Sequence, residues 1–143
     1  MGTKIVVATD GSEHAARAVE WCAEHAAAFD AEVVVVHAMG PPRYTGIAPS
    51  YIWVRAASVE QQKARRDRAT REWCVPLAAA GVPFRVEIVE GDPAEAVARV
   101  AHEEGAALVV AGRRGLGPVR EHLLGSTSRA LTHSLNLPLV IVP

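Results

Sequence analysis

Ile5-Val6-Val7-Ala8-Thr9-Asp10-Gly11-Ser12 holds the transition that decides the fold: a β-branched apolar run, a turn, then the start of a helix. The run predicts a buried strand, and Thr9-Asp10-Gly11 supplies the turn chemistry that ends it. From Ser12 to about Phe29, Ala15, Ala18, Val19, Cys22, Ala26 and Phe29 keep helical spacing. Val33-Val34-Val35-Val36 is apolar throughout, as a strand covered on both faces must be. Met39 to Trp53, rich in Gly and Pro, reads as an excursion loop. Ala56 to Ala80 reads as one long charged helix, interrupted or ended near Pro76, with Gly81 as its stop. Phe84 to Val89 alternates, the pattern of a half-exposed or edge strand. At Asp92-Pro93-Ala94-Glu95 a helix starts, with Asp92 capping, Pro93 in the first position and Glu95 reaching back. It carries Val97, Ala98 and Ala101 inward and ends at Gly105. Ala107 to Ala111 is a further buried strand, 112–124 a Gly-rich loop, Ser126 to about Leu135 a short helix, and Pro138 to Val142 a fifth strand. Strict β-α alternation predicts an α/β protein: a five-stranded, mainly parallel open sheet with helices on both faces and right-handed crossovers. In such sheets ligands lie beyond the carboxyl ends of the strands, which selects the loops after Ala8, Val36 and Ala111.

Composition agrees. The 143 residues include 26 Ala and 20 Val against seven aromatics, so small residues serve close helix packing and Val serves buried strands. This length suits a single domain, taken as residues 1–143. Half the residues are hydrophobic, enough to bury a core, which excludes disorder. Fifteen basic and sixteen acidic residues leave a net charge of -1, an argument against a nucleic-acid partner. No apolar stretch reaches the length of a membrane span or signal peptide, so no membrane partner and a cytoplasmic location are expected. Cys22 and Cys74 form neither a CxxC nor a disulfide framework, and both are expected in the core.

The loop after the fourth strand is the most informative. Gly112-Arg113-Arg114-Gly115 is followed nine residues later by Gly125-Ser126-Thr127. Closely spaced glycines let backbone N–H groups approach phosphate oxygens, and a helix opening at Gly125-Ser126 offers an anion its unpaired N–H groups. The same residues also read as a plain Gly-rich loop with Ser126 as a helix cap. No GxxxxGK[ST] occurs, Arg120 stands where a dinucleotide fingerprint needs its third glycine, and the Asp10 turn lacks that fingerprint. A P-loop enzyme and a conventional dinucleotide dehydrogenase are therefore excluded.

The spacing G-x2-G-x9-G-[ST] resembles the nucleotide-binding signature of the ATP-binding branch of the universal stress protein family. Val6 to Glu13, Val36-His37-Ala38, Glu90 to Ala94 and Gly125 to Val142 are similar to other family segments, in the same order. The resemblance implies a Rossmann-like fold of the adenine nucleotide alpha hydrolase-like kind. It implies that Thr9, Asp10 and Ala38 line an adenosine pocket, with Asp10 facing the ribose. Gly112 and Gly115 would hold the ribose-phosphate side; Gly125, Ser126 and Thr127 would hold the outer phosphates of ATP, with Mg2+ or Mn2+ bridging phosphate oxygens. It further implies a homodimer formed through Pro138 to Val142, an apolar stretch that also reads as an exposed edge.

Several residues keep two readings. Asp10-Gly11-Ser12-Glu13 also matches a capping box, so Asp10 is either a ribose ligand or a cap for the first helix. Adjacent Arg113 and Arg114, where many relatives carry one basic residue, either clamp phosphate or a partner subunit or point to solvent. His37 reads first as a satisfied structural histidine and second as a nucleotide contact. None of the six histidines has metal-site spacing. Tyr44, Tyr51 and Trp53 could cover the pocket or bind an unknown protein partner. The implied function is an ATP-dependent switch in stress response, in which nucleotide orders the 112–124 loop. The alternatives are a slow ATPase or autophosphorylating enzyme, with Ser126 and Thr127 as phosphoacceptors and no placed base or catalytic residue, and an interaction module without nucleotide.

Overall fold

The computed structural model describes residues 2–39, 59–114 and 124–143. Five strands, β1 (Thr3–Ala8), β2 (Ala31–Met39), β3 (Phe84–Glu90), β4 (Leu108–Gly112) and β5 (Leu139–Val142), form one sheet in the order β3-β2-β1-β4-β5. All four pairings are parallel. The helices are α1 (Glu13–His25), α2 (Val59–Arg68), α3 (Val75–Ala79), α4 (Pro93–Glu103) and α5 (Ser126–Ser134). Strand order reverses between β1 and β4, so a crevice opens there at the carboxyl edge.

The period-2 alternation of β1 and β2 divides the core in two. Ile5, Val7, Val33 and Val35 face Ala18, Val19, Cys22, Cys74 and Leu77. Val6, Val34, Val36, Val109 and Ala111 face Ala94, Val97, Val100, Ala101 and Leu131. Each fully buried valine or leucine contributes on the order of 1.5–3 kcal/mol by leaving water. Small residues on the facing helices let the backbones approach the sheet, as the Ala and Val counts anticipate.

Two helical expectations are corrected, and the interruption expected near Pro76 is located. The first helix is α-helical only to His25; Ala26–Phe29 is a 3-10 turn, ended by Asp30 in the left-handed region (φ 49°), a conformation Asp tolerates better than most residues. The interruption expected near Pro76 lies just before it: Ala69–Trp73 is a π turn, closed by Cys74 N–H donating to the Ala69 carbonyl, and α3 follows with Pro76 in its first turn. Proline has no N–H to give the carbonyl four residues back and its ring crowds that carbonyl, so the ladder cannot run straight through. The cap of α1 is Ser12, whose Oγ accepts from Ala15 N–H at 3.2 Å, and not Asp10. At α4 the cap is Asp92 as expected, accepting from Ala94 and Glu95 N–H. Both outer strands are the ones whose patterns suggested edges.

An ion-pair network lies where α4 ends, away from the crevice. Lys4 Nζ donates to Glu104 at 2.6 Å; Arg85 pairs with Glu32 at 3.4 Å and also with Glu87 and Glu104. The end of α4 is thereby tied to β1, β2 and β3. Hydrogen bonds from Arg85, then from Lys4, hold the Glu104 carboxyl below the usual carboxylate range.

Candidate functional site

An open cleft of about 240 Å³ occupies the crevice. Ala8, Thr9 and Asp10 line it from the end of β1, Val36 and Ala38 from β2, Ala111, Gly112 and Arg114 from β4 and its following loop. Gly125, Ser126, Thr127 and Ser128 line it from the start of α5, and Pro93 and Val97 from α4. The carboxyl ends of β1, β2 and β4, the edge that the open-sheet rule selects, therefore converge. Ala8, Val36, Val97 and Ala111 make part of the lining apolar, and the rest includes hydroxyls, a guanidinium and a helix start.

The β1 turn is held rigidly. Thr9 N–H donates to the Val36 carbonyl at 2.9 Å, Gly11 N–H to Thr9 Oγ1 at 3.3 Å, and Ser12 N–H to Asp10 Oδ1 at 2.9 Å. Asp10 thus holds the turn by accepting from the cap residue Ser12, without capping α1 itself, and it also lines the cleft. His37 does not line the cleft; its Nδ1 lies 3.0 Å from the Thr9 carbonyl, the satisfied structural role.

The start of α5 leaves backbone donors open beside the cleft. Its N-cap is Gly125, not Ser126, and no side chain caps the first turn. Gly125 N–H donates to the Arg113 carbonyl at 2.8 Å, and Arg113 N–H to the Val142 carbonyl at 2.8 Å, so Arg113 is tied to β5 and Gly125 to Arg113. Helix geometry leaves the next N–H groups without intrahelical partners, beside the cleft. Arg114 lines the cleft and its Nε is buried with no hydrogen-bond partner among the described residues. A buried donor of this kind is costly unless something accepts from it. Arg113 Nε is likewise unpartnered there, but Arg113 is not a lining residue. Gly115, Arg120, Tyr44, Tyr51 and Trp53 lie outside the described residues.

Gly112 has a packing reason of its own. A Cβ there would stand 2.5 Å from the His14 carbonyl oxygen and 2.6 Å from its carbon, both backbone atoms of α1. Its own carbonyl accepts from the buried Ser128 Oγ at 2.5 Å. The sequence reading missed Ser128, Pro93 and Val97. The Asp92-Pro93 helix start was the available signal, since a helix following β3 must begin at the same carboxyl edge. Burial pushes the Cys22 thiol up to about 12 and that of Cys74 to about 11, so both serve packing.

The model of the universal stress protein family matches residues 1–143. The chain belongs to the universal stress protein family. A universal stress protein of Thermus aquaticus is 37% identical over 140 residues, 96% of both chains. One from Bacillus subtilis is 27% identical over 99% of each. Among solved structures, a universal stress protein in complex with cAMP superposes with a TM-score of 0.70 at 27% identity, covering 99% of this chain and 97% of that one. UspA from Lactobacillus plantarum, at 20% identity, reaches a TM-score of 0.81 over 99% and 97%, which shows the shared fold. As in its relatives, the sheet is open and parallel with helices on both faces. Among the described residues no helix of this family member is long and apolar enough to cross a membrane.

Proposed function

We propose that this universal stress protein binds an adenine nucleotide in the crevice between β1 and β4, ATP with Mg2+ or Mn2+ being the form its glycine spacing suits. The observation that carries the reading is the convergence, on one cleft, of the start of α5, which no side chain caps, and of Arg114, whose buried Nε has no hydrogen-bond partner among the described residues. Nucleoside would lie on Ala8, Val36, Val97 and Ala111, with Thr9, Asp10 and Ala38 at its polar edge. Phosphates would lie against Gly125, Ser126 and Thr127, where N–H groups, hydroxyls and the helix dipole favour negative charge. Arg114 would donate to phosphate oxygens with charge-assisted hydrogen bonds. Among the described residues no group of three or more His, Cys, Asp or Glu could hold a metal, so a divalent ion would arrive on the phosphates. Bound, it would neutralise phosphate charge. The cAMP complex of a relative at 27% identity supports the ligand class.

The working form is a cytoplasmic homodimer joined through β5, with nucleotide read out through the segment that Arg113 and Gly125 anchor. Support for the dimer comes from β5 itself, a half-exposed apolar strand at the sheet edge. Denaturing the purified protein and identifying released small molecules by chromatography and mass spectrometry tests the ligand. Stoichiometric ATP, ADP or AMP is expected. No released nucleotide together with no measurable affinity for any adenine nucleotide refutes the reading. Turnover of added ATP over hours, compared with Asp10→Ala, separates a switch from a slow ATPase.

A further inference from the structure

Behind the β1 turn, on the side away from the cleft, stands an aromatic pair that the nucleotide reading leaves unused. Trp73 comes from the π turn between α2 and α3 and packs against the core that faces α1. A Cβ on Gly11 would lie 2.7 Å from Trp73 Cζ2 and 2.9 Å from Cε2, so the indole presses on the turn where only glycine fits. Gly11 has φ +79°, which fits glycine for a second reason. Trp73 and the His37 ring meet edge to face, with centroids 5.1 Å apart and planes at 73°. His37 Nδ1 in turn lies 3.0 Å from the Thr9 carbonyl. Indole, imidazole and turn form one contiguous set of contacts that reaches Thr9 and Asp10 at the cleft wall.

The geometry points to Trp73 as a positioning residue for ligand binding, acting through Gly11 and His37 to hold Thr9 and Asp10 in the conformation the cleft requires. The inference rests on the nucleotide reading for its ligand but not for the brace itself. Two features give it force. The π turn is a local departure from α-helix just before Pro76, and it sets the phase at which Trp73 leaves the helix. A regular helix through Ala69–Trp73 would carry that side chain elsewhere. The β1 turn, moreover, lacks any other aromatic support among the described residues, since Trp21 stacks instead on His25 along α1. The brace also joins the cleft wall to the helix that α2 continues, so a displacement of α2 by a bound partner would reach Thr9 and Asp10 through packed groups.

The test uses the full chain and Trp73→Ala, with Trp73→Phe as the conservative variant. Amide hydrogen exchange without ligand is followed at Gly11 and Ser12, against Val34 as a core reference, and ATP affinity is measured by calorimetry. Trp73→Ala is expected to speed exchange at Gly11 and Ser12 while Val34 stays protected, and to weaken ATP about tenfold. Trp73→Phe, which keeps a ring against Gly11, is expected to recover most of both. In a Trp21→Phe/Trp53→Phe background, where Trp73 alone fluoresces, adding ATP should shift its emission. Unchanged ATP affinity in Trp73→Ala overturns the inference whatever the exchange shows, and so does equal loss in Ala and Phe variants. Should the wild type bind no adenine nucleotide, the ligand reading fails, and exchange at Gly11 and Ser12 still decides whether Trp73 holds the turn.

Discussion

Replacing Gly112 with alanine separates two reasons for a glycine at the end of β4. One reason is phosphate approach, which the glycine spacing suggests. The other is the backbone of α1: a new Cβ would meet the His14 oxygen at 2.5 Å, the His14 carbon at 2.6 Å and the Ala15 nitrogen at 3.0 Å. Ordinary van der Waals contact begins at 3.4 Å, so strand and helix must part by about 0.9 Å. Neither side yields easily. Ser12 caps α1 and is itself held by Asp10, which accepts from the Ser12 N–H, while Ser128 holds the Gly112 carbonyl from the other side. Overpacking of this kind costs roughly 1–3 kcal/mol, and backbone on the opposing side puts the expectation near the top of that range. For a chain of this size that corresponds to a melting temperature lower by roughly 5–10 °C. Urea and thermal unfolding followed by circular dichroism measure it, with nucleotide affinity measured in parallel. Gly81→Ala is the control: nothing lies within 4 Å of its added Cβ, so only its φ of +68° is penalised. Gly112→Ala should lose both stability and affinity. Full stability with affinity alone lost would refute the packing account and return Gly112 to phosphate approach only.

Arg114→Gln should weaken ATP roughly ten- to hundredfold, since a charge-assisted bond to phosphate is removed, while adenosine affinity stays near wild type; calorimetry with both ligands checks it. The Glu104 carboxyl is held below its ordinary value of 4.5 by Arg85 and Lys4, so its contribution is complete above that value and is lost as pH falls through the folded-state value. Glu104→Gln should therefore be less stable than wild type near neutrality, with the difference closing in acid, as urea midpoints from pH 7 to 3 would show. Along β5, the carbonyls of Pro138 and Val142 accept from β4, so the intervening Ile141 N–H faces outward. Ile141→Pro should leave the β4 ladder intact and convert the proposed dimer to monomer in analytical ultracentrifugation; a persisting dimer would place the interface elsewhere.

Local chemistry in the sequence was enough for the strands, their parallel arrangement and the carboxyl-edge location of the cleft. Ile5–Ala8, Val33–Val36 and Leu108–Ala111 are apolar on both faces, and only a sheet covered on both sides can bury such runs. The glycine spacing likewise marked Gly112, Gly125, Ser126 and Thr127, because the absence of a Cβ and the opening of a helix are properties of single residues and short segments. Tertiary structure decided which of two adjacent arginines lines the cleft, why Gly112 must be glycine, and that Ser128 and Trp73 support the site. Each depends on groups far apart in the chain: α1 meets β4 across about a hundred residues, as His14 meets Gly112. The π turn shows the same limit. Pro76 announced an interruption, but the side chain that the interruption re-aims, and the turn it braces, follow from where β1 ends in space. Periodicity reports which face of an element is buried; what stands opposite that face is fixed only when the chain closes on itself.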